Sequence, residues 1–236
     1  MMRALIQSDL MKVKKMVWVM MIAFPAGLVG LQAVNYSLRL DHLLGLHDDY
    51  WYFLLENVHV FWPTVLVLSL TLIISLFASV EHETGTWTTL FSLPVNNRKV
   101  YLSKLVIILT VLVVSSVLFA VFSLILGLAL GFGSDLPLMD ASQMILSTFI
   151  TLLPFVCLQF WLSMSYTNQG VALTTGIANA VFIMYAVDLP TWMPWRWPLL
   201  LDGISTSTSE IFYGLGTGAV LMMITLIHLT RKDVSA

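Results

Sequence analysis

Of 236 residues, 58% are hydrophobic and 10% are charged, and the mean hydropathy is +0.90. Soluble domains carry about 25% charged residues, so this composition excludes a soluble fold and defines an integral membrane protein, with no nucleic acid expected as a partner. The formal net charge of −2 says little about partners; the placement of charge along the chain says more.

At roughly 20 residues per span plus loops, the chain has room for about six transmembrane helices and no soluble domain. The expectation is all-α, one transmembrane domain over residues 1–236. Cys157 is the lone cysteine and sits in an apolar run, which excludes an intrachain disulfide and fits a small packing residue.

Residues 1–15 read as an amphipathic interfacial helix. Met2, Leu5, Ile6, Leu10, Val13 and Val17 follow helical spacing, and Arg3, Gln7, Asp9, Lys12 and Lys14 form the polar remainder. The apolar run that follows is too long for a signal peptide, so it is expected to be an uncleaved first span over about 16–38, in which Pro25, with Gly27 and Gly30 just after, either kinks the helix or allows close packing. Arg39–Asn57 mixes Asp41, His42, His47, Asp48, Asp49 and Glu56 with Tyr50, Trp51, Tyr52 and Phe53, the signature of a membrane–water boundary. No spacing there sets metal ligands on one face, so no metal is expected.

The second span is expected over about 58–80 and the third over about 100–132, longer than a bilayer requires. Gly131-Phe132-Gly133-Ser134-Asp135-Leu136-Pro137 reads as a turn. Further spans follow at about 143–164, 170–187 and 211–230. Between the last two lies Asp188–Pro198, with three tryptophans and three prolines; it cannot be a straight spanning helix and suits broken helices at an interface. Glu56, Asp188, Trp192, Trp195, Arg196 and Trp197 form a candidate external gate, although interfacial placement alone accounts for Glu56 and Asp188.

Six spans gather Arg3, Lys12, Lys14, Lys15, Arg98, Lys99, Lys104, Arg231 and Lys232 on one side and leave Arg39 and Arg196 on the other. The positive-inside rule then makes the first side, with both termini, cytoplasmic. The spans carry serines, threonines, Gln159 and Asn179 but almost no charge, whereas a proton-coupled carrier would bury a carboxylate near the midplane. Nor does the sequence contain a Gly-x-x-x-x-Gly-Lys-Ser/Thr loop for ATP, a His-Glu-x-x-His zinc motif or a Gly-x-Ser-x-Gly nucleophile turn. No catalytic residue, cofactor or metal is therefore assigned to the chain.

The stretch from Glu81 to Lys104, between spans two and three, has internal design. Glu81, Glu83 and Thr84 stand where a helix would start, suiting its positive end. Trp87, Leu90 and Phe91 recur at helical spacing on one face, Pro94 stops the helix, and Arg98, Lys99 and Lys104 lead into the next span. A helix over about 82–94 on the basic side could transmit force from a soluble partner.

The pattern Glu83-x-Gly85-Thr86, then Leu93-Pro94, a basic pair and Lys104, resembles the permease subunits of ABC-2-type transporters, nearest the small six-span permeases of lantibiotic immunity and bacitracin resistance. That resemblance implies a coupling helix docked on a separate ATP-binding cassette subunit, which binds ATP and magnesium. It also implies a second permease chain, identical or related, embedded in lipid. The substrate class it implies is an amphipathic peptide or a lipid-linked compound. The docking residues would be Glu81, Glu83, Gly85, Thr86, Trp87, Leu90, Phe91, Pro94, Arg98, Lys99 and Lys104. Without the resemblance, the same aromatic face could simply anchor a helix to headgroups, and the basic residues could act only as topology determinants. A membrane sensor or assembly subunit, or a lipid-acting enzyme, remains an alternative from the residues alone.

Overall fold

The computed structural model describes residues 2–44, 49–83, 97–201 and 208–232. Its helices are α1 (Met2–Lys12), α2 (Lys15–Leu44), α3 (Tyr50–His59), α4 (Trp62–Glu83), α5 (Asn97–Ala129), α6 (Leu138–Ser165), α7 (Gln169–Met184) and α8 (Thr208–Lys232). Two short 3-10 turns, Ala186–Asp188 and Trp197–Leu199, lie between α7 and α8. Among the described residues, five stretches are long and apolar enough to cross a membrane: Lys15–Leu40, Tyr50–Val80, Arg98–Ala129, Leu138–Ser165 and Thr208–Thr230. The fifth expected pass, over about 170–187, corresponds to α7, which is apolar but only 16 residues long. That length is about 24 Å, short of a hydrocarbon core of about 30 Å.

Local chemistry explains the breaks. Pro25 is buried inside α2 without ending it, and the non-helical residue is Arg39, at φ −133° and ψ 21°. The second pass is split at Val60–Phe61, because Pro63 lacks an amide hydrogen and restricts Trp62 before it. Pro63 therefore falls in the first turn of α4, where no donor is missed. The expected turn after α5 is present. Gly131 has φ +82°, its amide donates to Leu128 O at 3.1 Å, and the Phe132 amide donates to Gly127 O at 3.1 Å. This is a Schellman ending, which needs the left-handed conformation that glycine adopts without strain.

Pairings between helices fix their directions. Val17 packs with Ile107 and Val111, while Val29 and Ala33 line a groove with Phe122 and Leu126, so α2 and α5 run parallel. Cys157 Sγ lies 3.6 Å from Gly218 O and Trp161 Nε1 donates to His228 Nδ1 at 3.1 Å, so α6 and α8 are parallel as well. One end of the bundle therefore gathers α1, the start of α2, the end of α4, the start of α5 and the ends of α6 and α8. With Lys14, Lys15, Arg98 and Lys99 exposed there, it is the basic end. The opposite, aromatic end holds Phe132 against Tyr36, Tyr50 and Trp51, with centroids 5.6–6.5 Å apart.

Lipid tails are as apolar as leucine, so close packing, not transfer from water, holds such helices together. Trp62 stacks on Phe119 with centroids 4.1 Å apart in the middle of the core. Glycines permit the closest approaches. A Cβ on Gly214 would stand 2.6 Å from Thr151 Cα, and one on Gly218 would stand 2.7 Å from Leu153 Cβ, so α8 lies directly on the backbone of α6. Gly176 of α7 meets the side chain of Thr71 in α4 in the same way.

Candidate functional site

The first turns of α5 separate into two faces. Arg98 and Lys99 are exposed, whereas Val100, Ser103, Lys104, Ile107, Ile108 and Val111 recur at three- and four-residue spacing and are buried. Cations near a helix N-terminus oppose its dipole, so the helix end alone does not favour Arg98 and Lys99 there. Lys104 differs from them. It is 0% exposed, and its Nζ lies 3.3 Å from Asp9 Oδ1. Ser103 Oγ donates to Asp9 Oδ2 at 2.7 Å, so both carboxylate oxygens of Asp9 are engaged by α5.

Asp9 thereby corrects the reading of α1. The polar face expected from spacing included Asp9 and the apolar face included Leu10; the structure buries Asp9 at 5% exposure and leaves Leu10 and Met11 exposed. The carboxylate turns inward because an ammonium and a hydroxyl await it, and a buried charge is tolerated when paired and hydrogen-bonded. Lys104, expected to face the partner, is likewise directed into the bundle. The signal was available in the sequence: a lysine inside an apolar run implies a partner of opposite charge, and Asp9 is the acidic residue of the N-terminal helix.

The stretch expected to dock is only partly described. Glu81 and Glu83 belong to the last turn of α4 and do not start a separate helix, because His82 and the glutamates do not break the helix that Val80 continues. Gly85, Thr86, Trp87, Leu90, Phe91 and Pro94, with the expected helix over 82–94, lie outside the described residues beyond Glu83. Its two flanks, the end of α4 and the start of α5, stand together at the basic end.

At the aromatic end, the Pro/Trp segment is a folded cap with no straight helix, as its composition predicts. Trp195 Nε1 donates to Asn179 Oδ1 of α7 at 3.0 Å, and Trp197 Nε1 donates to Thr191 O at 2.7 Å. Arg196 Nη1 donates to Leu189 O at 3.0 Å and its Nε lies 3.8 Å from Glu210 Oε1 in the first turn of α8. The structure thus brings Trp195, Arg196 and Trp197 together and adds Asn179 and the buried Glu210, which spacing did not single out as members of this site. Glu56, Asp188 and Trp192 are exposed and stand outside these contacts.

His59 is buried, with Nε2 2.8 Å from Thr148 Oγ1. That contact ties the split second pass to α6.

A bundle of long apolar helices, parallel pairs in close contact and a basic end define a polytopic helical membrane protein. Residues 5–186 match the family model described as ABC-2 family transporter protein, and the chain belongs to that family as a permease membrane component. Such permeases are typically non-catalytic subunits, and membership implies an ATP-binding cassette partner. No curated protein and no solved structure matches the chain.

Proposed function

We propose that the chain couples ATP hydrolysis in a separate ATP-binding cassette subunit to export, or extraction from the membrane, of an amphipathic substrate such as an antimicrobial peptide or a lipid-linked compound. The basic end faces the cytoplasm, α7 completes a sixth pass, and two permease chains, identical or related, assemble with two ATP-binding subunits. Residues 82–94 form the element that meets the partner. When ATP closes the partner dimer, that element moves and the spans at the permease interface shift with it. The observation carrying this reading is the family match over residues 5–186, within which α4 and α5 bracket the 84–96 connection at the basic end. The positive-inside rule supports the orientation, and the near absence of charge within the spans supports an external energy source and an amphipathic cargo over a small ion.

The test is purification of the full-length chain from its native membrane, with mass spectrometry and an ATPase assay on what accompanies it. The reading expects a P-loop ATPase in stoichiometric amount. Replacing Glu83 and Gly85 together should leave insertion and assembly intact but break the link between ATP hydrolysis and transport. A homogeneous chain that modifies lipid by itself, or wild-type coupling in the double variant, overturns it.

A further inference from the structure

The carboxylate of Asp9 is held at two points: Lys104 Nζ on one oxygen, Ser103 Oγ on the other. Two attachments from consecutive residues of α5 fix both the rotation of α1 about its axis and its sliding along α5. An apolar contact of equal area would hold the helix with less definition. Buried ion pairs seldom add stability over well-packed apolar side chains, and their best-attested role is to set register. Around this cluster the basic end has a core of its own. Val17 of α2, Ile73 and Phe77 of α4, and Ile107 and Val111 of α5 form a buried apolar cluster distinct from the main core. Ile6 and Val13 on either side of Asp9, with Met20, Met21 and Leu76, pack against it. The two helices joined by the 84–96 connection, α4 and α5, therefore share a core with α1 and α2.

We infer that the Asp9–Ser103–Lys104 cluster makes α1 a driven part: displacement at the base of α5 is carried to α1 through the ion pair and onward to α2 through the shared apolar cluster. Asp9 and Lys104 are positioning residues. The inference rests on the reading above, in which the 84–96 connection receives the partner's movement. The N-terminal helix then reports and transmits the nucleotide state.

Hydrogen exchange on the full chain in lipid nanodiscs, alone and in complex with the co-purifying ATPase, tests this. In the chain alone, Asp9→Asn should speed exchange of the α1 amides about tenfold or more while α6 and α8 stay unchanged. In the complex, trapping with ATP, magnesium and vanadate should change protection in α1 and in residues 98–104 together. The double variant Asp9→Leu with Lys104→Met keeps the site filled without charge, so it guards against simple misfolding. In it, residues 98–104 should still respond while the α1 response falls about threefold or more, with ATP hydrolysis continuing. An α1 response that persists in the double variant, or a wild-type response at 98–104 with none in α1, overturns the inference and leaves the proposed function standing. No response in either segment of an ATP-hydrolysing complex overturns both.

Discussion

Two ion pairs lie at opposite ends of the bundle, and they are built differently. At the basic end, Asp9 and Lys104 meet at 3.3 Å with side chains 6% and 0% exposed, and the pair joins two helices far apart in sequence. At the aromatic end, Arg196 and Glu210 meet at 3.8 Å with side chains 19% and 1% exposed, and the guanidinium also serves the Leu189 carbonyl. The first pair has exchanged water for one tight site on regular structure. The second belongs to a loop whose indoles and backbone share the task of holding it. A contact between two helices can carry motion between them, whereas a contact between a loop and a helix end closes a surface. On the proposed reading the basic end transmits motion, while the aromatic end is a cap.

The largest expected effect comes from breaking the basic pair. Asp9→Ala removes the carboxylate beside a fully buried ammonium and should cost about 3–5 kcal/mol, read as a fall in the thermal midpoint of the chain in detergent. Glu210→Ala should cost less, about 1.5–3 kcal/mol, because Arg196 keeps its carbonyl and some access to solvent. Equal losses in the two variants would remove the distinction between the ends. Away from both, Gly214→Ala forces a methyl against the α6 backbone and should cost about 1–3 kcal/mol in the same assay. Gly216→Ala, where an added Cβ meets nothing within 4 Å, serves as the control. Within the cap, Trp197→Phe deletes the indole donor to Thr191 O and should cost about 1 kcal/mol. Trp192→Ala, at a side chain 67% exposed, should stay within about 0.5 kcal/mol. A cap that unfolds in the Trp192 variant would show that the exposed residues hold it too.

What the sequence made legible follows from which signals are local. Long apolar runs are a composition property, so α2, α4, α5, α6 and α8 stand close to their expected positions. The Gly131–Pro137 turn and the irregular Pro/Trp segment are equally local, because φ restrictions and missing amide hydrogens act within a few residues. The α2 break could not be assigned correctly: a proline in a helix is a candidate kink, but Pro25 is accommodated and the chain departs from helix at Arg39. Pairings such as Asp9 with Lys104, His59 with Thr148 and Arg196 with Glu210 join residues distant in the chain, so periodicity cannot find them. Charge logic could have found the first, because Lys104 enters an apolar run and Asp9 lies in the helix before the spans.

The central claim is that the connection between α4 and α5 meets an ATP-binding partner on the cytoplasmic side. A photo-crosslinking amino acid placed at Trp87 or Leu90 of the full-length chain, activated in intact cells, tests it most directly. The account predicts a covalent adduct with a P-loop ATPase from both positions, and none from an exposed site at the aromatic end such as Trp192. Adducts with lipid alone, or labelling of position 87 by a membrane-impermeant reagent added outside the cell, would contradict it.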